Sequence, residues 1–303
     1  MTPSARLPLA LAAAALLAAA TVAASSTASA EGKSTLSSGE ALGLGDDGQT
    51  LRIFKLSDPE EDQLIGKVSG LVDGETELEA IDYNVADGKF YGFAQGTNGE
   101  SAQLYRLNTK SGAATLVATL WEDFWFTTSH YDLDFKPTDE NEFHVTSRDA
   151  VDGRYGVFDL DLPEADPDAF AVDGGSLPYA GGGFAFTNND RSSTTGTTPF
   201  AIDPASRTVK VVLAPEPDPN TCCSTALTEV TGDLGLSAVS SILGFDILSK
   251  VSDGKTTSNT GYASLRSTDS SEPNLYKIDL LTGKASKVDD FDKQIADIAV
   301  KQP

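Results

Sequence analysis

The chain has 303 residues, with 45 Asp and Glu against 22 Lys and Arg, so its formal net charge at pH 7 is −23. The acidic residues are spread along the whole chain. This distribution argues against binding to nucleic acid or to an anionic membrane surface, since both require clustered Lys and Arg.

The first 30 residues have the pattern of a secretory signal peptide. Arg6 supplies a positive charge, residues 7–24 are almost entirely Ala, Leu and Val, and Ala28-Ser29-Ala30 forms a small-residue cleavage site. We therefore expect a signal peptide over 1–30, cleavage before Glu31, and a secreted or extracytoplasmic protein whose mature part, 31–303, is a single domain. An uncleaved membrane anchor is the alternative, and no later segment reaches the roughly 20 apolar residues of a membrane span.

Short strands separated by Gly, Asp, Asn and Ser turns dominate the mature chain. One phrase recurs five times: an aromatic residue, any residue, Leu or Ile, and a turn-forming residue. In chain order it occupies residues 54–57, 105–108, 158–161, 200–203 and 276–279. A unit repeated in this way indicates a repeat architecture.

A second phrase, an Asp with apolar or small neighbours, precedes the aromatic phrase in the regular units. A third phrase, which also contains an aromatic residue, lies between the two. Its aromatic residue follows the Asp by nine residues in two units, from Asp82 to Tyr91 and from Asp134 to Phe143. Each unit therefore predicts four antiparallel strands: an Asp strand, a second strand, an aromatic strand and a closing strand. Radial repetition of such units predicts a β-propeller.

The fourth unit and the two ends are irregular. Residues 184–187 align with a second strand, so the first strand of that unit would fall near Leu177 without an Asp. The N-terminal strands lack an Asp strand, whereas 295–300 is an Asp strand with nothing after it, so the two ends together would complete one blade. We predict an all-β propeller of about five four-stranded blades closed by pairing of the N- and C-terminal strands. Six blades is the alternative, if 205–240 forms its own blade.

Several of these phrases resemble a family of secreted bacterial proteins, domain of unknown function 4394. The phrases occur in the family's order at residues 78–83, 88–93, 104–109, 111–117, 184–189, 243–247 and 295–300. The resemblance covers roughly residues 40–300 and implies propeller-like repeats. The family name carries no activity, so the resemblance implies no catalytic residue. The adjacent cysteines and the loop 121–131 depart from the family pattern.

The recurrent Asp residues are the candidates for a metal site: Asp82, Asp134, Asp246 and Asp297. Equivalent positions on the innermost strands would converge on the propeller axis. Carboxylates there repel one another unless they are hydrogen-bonded, protonated or bridged by a cation, and Ca²⁺ prefers oxygen ligands. The alternative is structural, with each Asp accepting backbone N–H bonds that join its blade to the next.

Two loops interrupt the repeat. One contains Trp121, Trp125 and His130, which form either a ligand patch or packing between blades. The other contains Cys222 and Cys223, the only cysteines. A disulfide between adjacent cysteines would form a strained, easily reduced turn in an oxidising compartment, and intermolecular pairing or a redox switch are the alternatives.

Catalytic residue types are scarce. His130 and His144 are the only histidines, and His144 lies within a predicted strand, where a place on the blade surface is expected. No G-x-S-x-G elbow, H-E-x-x-H helix or phosphate-binding loop is present. We therefore expect a non-catalytic binding or interaction module with a protein or glycan ligand. The alternative is a Ca²⁺-dependent propeller enzyme, a lyase or lactonase-like hydrolase, that uses the central channel.

Overall fold

The computed structural model of the chain describes residues 36–72, 75, 77–95, 101–121, 128–138, 142–149, 155–161, 172–177, 182–190, 192, 194–213, 224–225, 227–267 and 272–303. These residues form 21 β-strands in five sheets and belong to one compact unit. The described ranges contain no helix that is long and apolar enough to cross a membrane. The protein is all-β, as the alternating pattern predicts.

Sheet 1 contains strands from both ends of the chain: β1 (Glu40–Gly45), β2 (Thr50–Lys55), β3 (Asp58–Lys67) and β21 (Ile295–Val300). Its order is β21-β1-β2-β3, and every pairing is antiparallel. β1 pairs with β21 from Ala41 opposite Val300 to Gly45 opposite Ile295. The C-terminal Asp strand β21 is therefore the first strand of this sheet, and the N-terminal strands β1, β2 and β3 are its second, third and fourth strands.

Sheets 2 and 5 follow the predicted pattern of four antiparallel strands in chain order. Sheet 2 consists of β4 (Ala80–Asn84), β5 (Lys89–Gln95), β6 (Ser101–Leu107) and β7 (Ala114–Trp121). Sheet 5 consists of β17 (Val239–Ser252), β18 (Lys255–Ser267), β19 (Asn274–Ile278) and β20 (Ala285–Asp290). In both sheets the Asp phrase lies on the first strand and the aromatic phrase on the third, as predicted.

Sheet 3 has five strands: β8 (Thr128–Phe135), β9 (Glu142–Asp149), β10 (Tyr155–Asp161), β11 (Val172–Leu177) and β15 (Ser224–Thr225). The first four are antiparallel neighbours in chain order, and β15 adds to β11 in parallel. The fifth strand departs from the predicted four, because a two-residue segment from the irregular region covers the open edge of β11.

Sheet 4 corrects the sequence interpretation of the irregular unit. It consists of β12 (Phe184–Phe186), β13 (Pro199–Asp203), β14 (Thr208–Leu213) and β16 (Leu227–Asp233), in that order. β12 is the first strand and not the second, because it pairs only with β13 within the sheet. The alignment was wrong because the 14-residue spacing spans first and second strands here. β14 and β16 of the range 205–240 join this sheet and β15 joins sheet 3, so the separate sixth blade was wrong as well.

The five sheets have a propeller-like arrangement. Their first strands contact one another in the cyclic order β21, β4, β8, β12, β17 and back to β21. Four of the sheets have the predicted four strands, and sheet 3 has one more. The first strands therefore lie innermost, and their side chains are the ones that meet near the centre of the arrangement.

The hydrophobic core lies between neighbouring sheets. Four clusters of buried side chains join sheets 1 and 2, 2 and 3, 4 and 5, and 5 and 1. Tyr91 of sheet 2 lies 4.8 Å from Phe135 of sheet 3 between ring centroids, and each such buried aromatic contributes roughly 1.5–3 kcal/mol relative to an exposed one. The recurrent aromatics Phe54, Tyr105 and Tyr276 belong to these clusters and therefore pack between sheets.

Candidate functional site

Five buried Asp side chains lie on the innermost strands. They are Asp82 on β4, Asp132 and Asp134 on β8, Asp246 on β17, and Asp297 on β21, and each is at most 5% exposed. The sequence identified four of them and missed Asp132. The signal was present, because residues two apart on a strand face the same side, and Asp132 precedes Asp134 by two.

Each of these carboxylates accepts a hydrogen bond from a backbone N–H on the first strand of the next sheet. The donor–acceptor pairs are Ile81 N to Asp297 Oδ2 (2.7 Å), Phe135 N to Asp82 Oδ2 (2.7 Å), Phe184 N to Asp132 Oδ2 (2.5 Å), Phe186 N to Asp134 Oδ1 (3.3 Å) and Val300 N to Asp246 Oδ2 (2.5 Å). The bonds always run in the same direction around the arrangement. This is the structural role that the sequence offered as the alternative to a metal site.

The position of Asp297 depends on a close approach between β17 and β21. A Cβ atom added to Gly244 of β17 would lie 2.3 Å from Asp297 Oδ1 and 2.8 Å from both Asp297 Cα and Ile298 N. The backbone of β17 can therefore pass β21 only because residue 244 has no side chain. This contact places the Asp297 carboxylate against β17, the first strand of sheet 5, while its hydrogen bond to Ile81 connects it to sheet 2.

The joint between sheets 4 and 5 has no such Asp, since β12 carries no acidic residue. Neutral groups replace it. Asn189 donates its backbone N–H to Ser249 Oγ at 3.0 Å and its Nδ2–H to the Ile247 carbonyl at 3.0 Å. Asn188 and Asn259 exchange two further hydrogen bonds, of 3.1 and 2.8 Å. Asn side chains therefore join sheet 4 to sheet 5, together with the half-buried loop residue Asp190, whose Oδ2 accepts the backbone N–H of Thr256 at 2.8 Å.

Three of the carboxylates converge. One oxygen each of Asp82, Asp134 and Asp246 lies within 4.8 Å of the other two. Three points at that separation have a common centre no more than about 2.8 Å from each, close to the ~2.3–2.6 Å of Ca²⁺–oxygen bonds. Asp297, predicted in the same set, is outside this group of three. An exposed group, Glu60, Asp289 and Asp290, is also close together, but exposed carboxylates need no bridging ion.

Burial raises the pKa of all five of these carboxyl groups. It raises the pKa of Asp246 to about 6. Burial also raises the pKa of Asp82 and of Asp134 well above the ordinary value, and the negative charge of Asp246 raises both further. The pKa values of Asp132 and Asp297 are raised well above the ordinary value by burial as well. Near neutral pH the cluster can therefore retain protons, or release them when a cation binds.

A cleft opens between sheets 4 and 5, at the amide joint. Its volume is about 820 Å³, and its walls come from the segment after β12, from β13, β18 and β19, and from the turn between β19 and β20. Its lining is rich in hydroxyl and amide groups and includes Lys277 and Lys284. No sequence pattern pointed to this cleft, because its walls come from segments as far apart as Thr187 and Ser286.

The comparison with protein families is decisive for identity. The family model described as domain of unknown function (DUF4394) matches residues 50–299. The chain belongs to this family. The resemblance of the sequence phrases is thus confirmed. A search of the curated proteins finds no match for this DUF4394 chain.

Solved structures similar to this DUF4394 protein are distant. TolB from Acinetobacter baumannii matches with a TM-score of 0.40 and 12% identity over 83% of this chain and 53% of that one. The chain thus spans about half the length of that structure. Lignostilbene dioxygenase from Pseudomonas brassicacearum matches with a TM-score of 0.39 and 10% identity, over 88% and 74% of the two chains. Oligogalacturonate lyase from Vibrio parahaemolyticus matches with a TM-score of 0.32 and 14% identity, over 83% and 65%.

The segments by which the chain departs from the DUF4394 pattern lie largely outside the described residues. The structure does not describe Trp125, Cys222 or Cys223, and it describes only the backbone of Trp121 and His130. The ligand patch and the disulfide therefore stay predictions.

His144 is described, and it is buried between sheets 3 and 4. Its ring centroid lies 5.6 Å from that of Phe184 and 4.7 Å from that of Phe186. Its Nε2 lies 3.1 Å from Glu142 Oε1, and this hydrogen bond is the main cause that lowers the pKa of Glu142 to about 2. The surface position expected from the sequence was wrong, because β12 packs its two Phe side chains over this part of β9.

Proposed function

We propose that this chain is an exported five-bladed β-propeller that serves as a non-catalytic binding or interaction module in the cell envelope or outside the cell. Each of the five sheets is one blade, and the pairing of β1 with β21 closes the ring. Two observations support this architecture: the five sheets, and the cyclic contacts of their first strands.

One observation carries the functional part of the proposal. Each buried Asp carboxylate at the centre already accepts a backbone N–H from the neighbouring sheet. A general acid or base must reach the proton of a substrate, whereas these groups serve the joints between blades. The scaffold is thus rigid at its centre, which leaves recognition to its outer loops and clefts.

A direct test combines turnover and binding assays. The exported protein is incubated, with and without Ca²⁺, with uronate-containing polysaccharides and simple lactones, and products are followed by ¹H NMR. Binding is measured on a glycan array. We expect binding without product. Turnover that Asp134→Asn abolishes, and that exposed Asp289→Asn leaves intact, would instead establish the enzymatic alternative.

A second candidate is a Ca²⁺-dependent enzyme, either a lyase or a lactonase-like hydrolase. Its support is the convergence of Asp82, Asp134 and Asp246 on one point. Three carboxylate oxygens fit a hard divalent cation, which would neutralise their mutual repulsion and act as a Lewis acid towards a substrate oxygen. In this function the three residues hold the ion, and their backbone partners orient the carboxylates.

The ion is tested by thermal unfolding in EDTA and in Ca²⁺. If Ca²⁺ binds the three carboxylates, it raises the Tm of the wild type and fails to raise that of Asp134→Asn. The exposed-site variant Asp289→Asn retains the rise. An identical Tm in EDTA and Ca²⁺ for the wild type rules out a central Ca²⁺ ion under those conditions and with it this second candidate.

The remaining parts of the proposal concern export and the cysteines. We propose that residues 1–30 direct export and that Cys222 and Cys223 form a disulfide in the exported protein. Intact mass measurement of protein from the culture medium or envelope tests both. The expected mass is that of a chain beginning at Glu31 with two hydrogens fewer than the reduced form.

A further inference from the structure

The cleft between sheets 4 and 5 has the size of a small-ligand site. Its volume of about 820 Å³ lies within the roughly 300–1,000 Å³ typical of ligand pockets. We propose that it binds a short acidic oligosaccharide, a polyhydroxylated chain that carries carboxylate groups. This inference rests on the proposed binding role and assigns that role a ligand class and a place.

Unpaired cations are the first argument. Lys277 and Lys284 line the cleft, their side chains are exposed, and neither forms an ion pair or a side-chain hydrogen bond within the described part of the chain. Two more exposed and unpaired lysines, Lys250 and Lys255, lie on the β17–β18 hairpin. The second strand of this hairpin forms one wall of the cleft. In a chain of net charge −23, this concentration of free ammonium groups favours an anionic ligand.

One carboxylate, Asp279, also lies in the lining, so the two lysines leave an excess of one positive charge there. Asp279 Oδ1 accepts the backbone N–H groups of Leu281 and Thr282, at 3.0 and 3.1 Å. These bonds hold the carboxylate within its own turn. Lys277, two residues earlier, and Lys284, at the end of the turn, are therefore left to meet a ligand.

The neutral lining is the second argument. Thr198, Ser258 and Thr260 are among the residues that line the cleft. A hydroxyl group both donates and accepts hydrogen bonds, so it matches the hydroxyls of a sugar in either orientation. Leu281 at the rim is 82% exposed and offers an apolar surface for the C–H face of a ring.

The cleft is also held in shape before any ligand arrives. Asn188 has a left-handed backbone with φ of 60°, its Nδ2–H donates to the Gly196 carbonyl at 2.9 Å, and its Oδ1 accepts from Asn259 Nδ2 at 2.8 Å. Ser249 Oγ donates to Asn259 Oδ1 at 2.8 Å. A network that is already formed lowers the entropic cost of binding.

Calorimetric titration with trigalacturonate tests the inference, with the neutral trisaccharide maltotriose as the comparison. We expect trigalacturonate to bind and maltotriose to bind at least about tenfold more weakly, because only the former pairs with the lysines. The double variant Lys277→Gln/Lys284→Gln weakens trigalacturonate about tenfold or more, whereas Lys277→Arg retains binding. Lys110→Gln removes another exposed and unpaired lysine, in the turn between β6 and β7, and leaves binding unchanged. Melting curves verify that the exposed substitutions leave the fold intact.

The outcomes separate this inference from the proposed function. Absence of trigalacturonate binding, or binding that the double variant does not weaken, overturns the assignment of the cleft. If a neutral glycan or a peptide then binds elsewhere, the binding role survives without it. If trigalacturonate binds through the lysines and is also cleaved, the cleft assignment stands and the non-catalytic role falls.

Discussion

The joints between sheets are of two chemical kinds. Buried carboxylates on the first strands connect sheet 1 to 2, 2 to 3, 3 to 4 and 5 to 1, whereas Asn side chains and the half-buried loop residue Asp190 connect sheet 4 to 5. The cleft opens at the amide joint. The one joint whose first strand carries no buried Asp is therefore the joint that leaves space for a ligand.

Among substitutions at a carboxylate joint, we expect Gly244→Val to lower the free energy of unfolding the most. The new side chain would collide with backbone atoms of Asp297 and Ile298 that cannot move without separating β17 from β21. We expect the free energy of unfolding to fall by about 3 kcal/mol or more. Chemical denaturation measures the change, and Ser252→Val, at an exposed position of the same strand, is the control. A loss below about 1 kcal/mol would show that the two strands can separate easily.

The pH dependence of stability reports on the charge of these joints. The pKa of Asp246 is raised from 3.8 to about 6 in the folded state, so its stabilising contribution is fully present below about pH 4 and is lost as the pH rises through about 6. The expected decrease in the free energy of unfolding in EDTA is on the order of 2–3 kcal/mol. Urea unfolding between about pH 4 and pH 7 measures it. The exposed-site variant Asp289→Asn is the control and should behave as the wild type does. A free energy of unfolding that rises between about pH 4 and pH 7 in both proteins would contradict raised pKa values at the centre.

Removal of one acceptor from a carboxylate joint has a smaller effect. Asp297→Ala leaves the buried N–H of Ile81 without its acceptor, so we expect a loss of about 2 kcal/mol in the free energy of unfolding. Asp289→Ala, at an exposed position, should change it by less than about 0.5 kcal/mol. Equal losses in the two variants would mean that the carboxylate joints contribute nothing particular.

The smallest effect is expected at the amide joint. Asn189→Ala removes the side-chain bond to the Ile247 carbonyl, and we expect a loss of about 1 kcal/mol that does not vary between about pH 4 and pH 7, because no titrating group is involved. Asn189→Asp, by contrast, should make the loss depend on pH. A pH-dependent loss in the alanine variant would remove the distinction between the two kinds of joint.

Much of the fold could be predicted from local patterns. The spacing from Asp82 to Tyr91 and from Asp134 to Phe143 is kept because paired antiparallel strands with short turns have a fixed length, so the first two strands of sheets 2 and 3 were predicted correctly. The same argument failed in sheet 4, because a spacing of 14 residues is the same whether it joins first to second or second to third strands. β15 was not foreseen, since a two-residue strand carries no periodicity.

The sequence by itself determined that the protein is built from repeated antiparallel units and that recurrent Asp residues lie on their first strands, because both features are local and periodic. Only the tertiary structure decided which carboxylates meet. Asp82, Asp134 and Asp246 converge while Asp297 binds Ile81, since three strands from different sheets approach one point at distances that no spacing along the chain encodes. The cleft with Lys277 and Lys284 exists for the same reason, because it is a gap between two sheets and not a property of either.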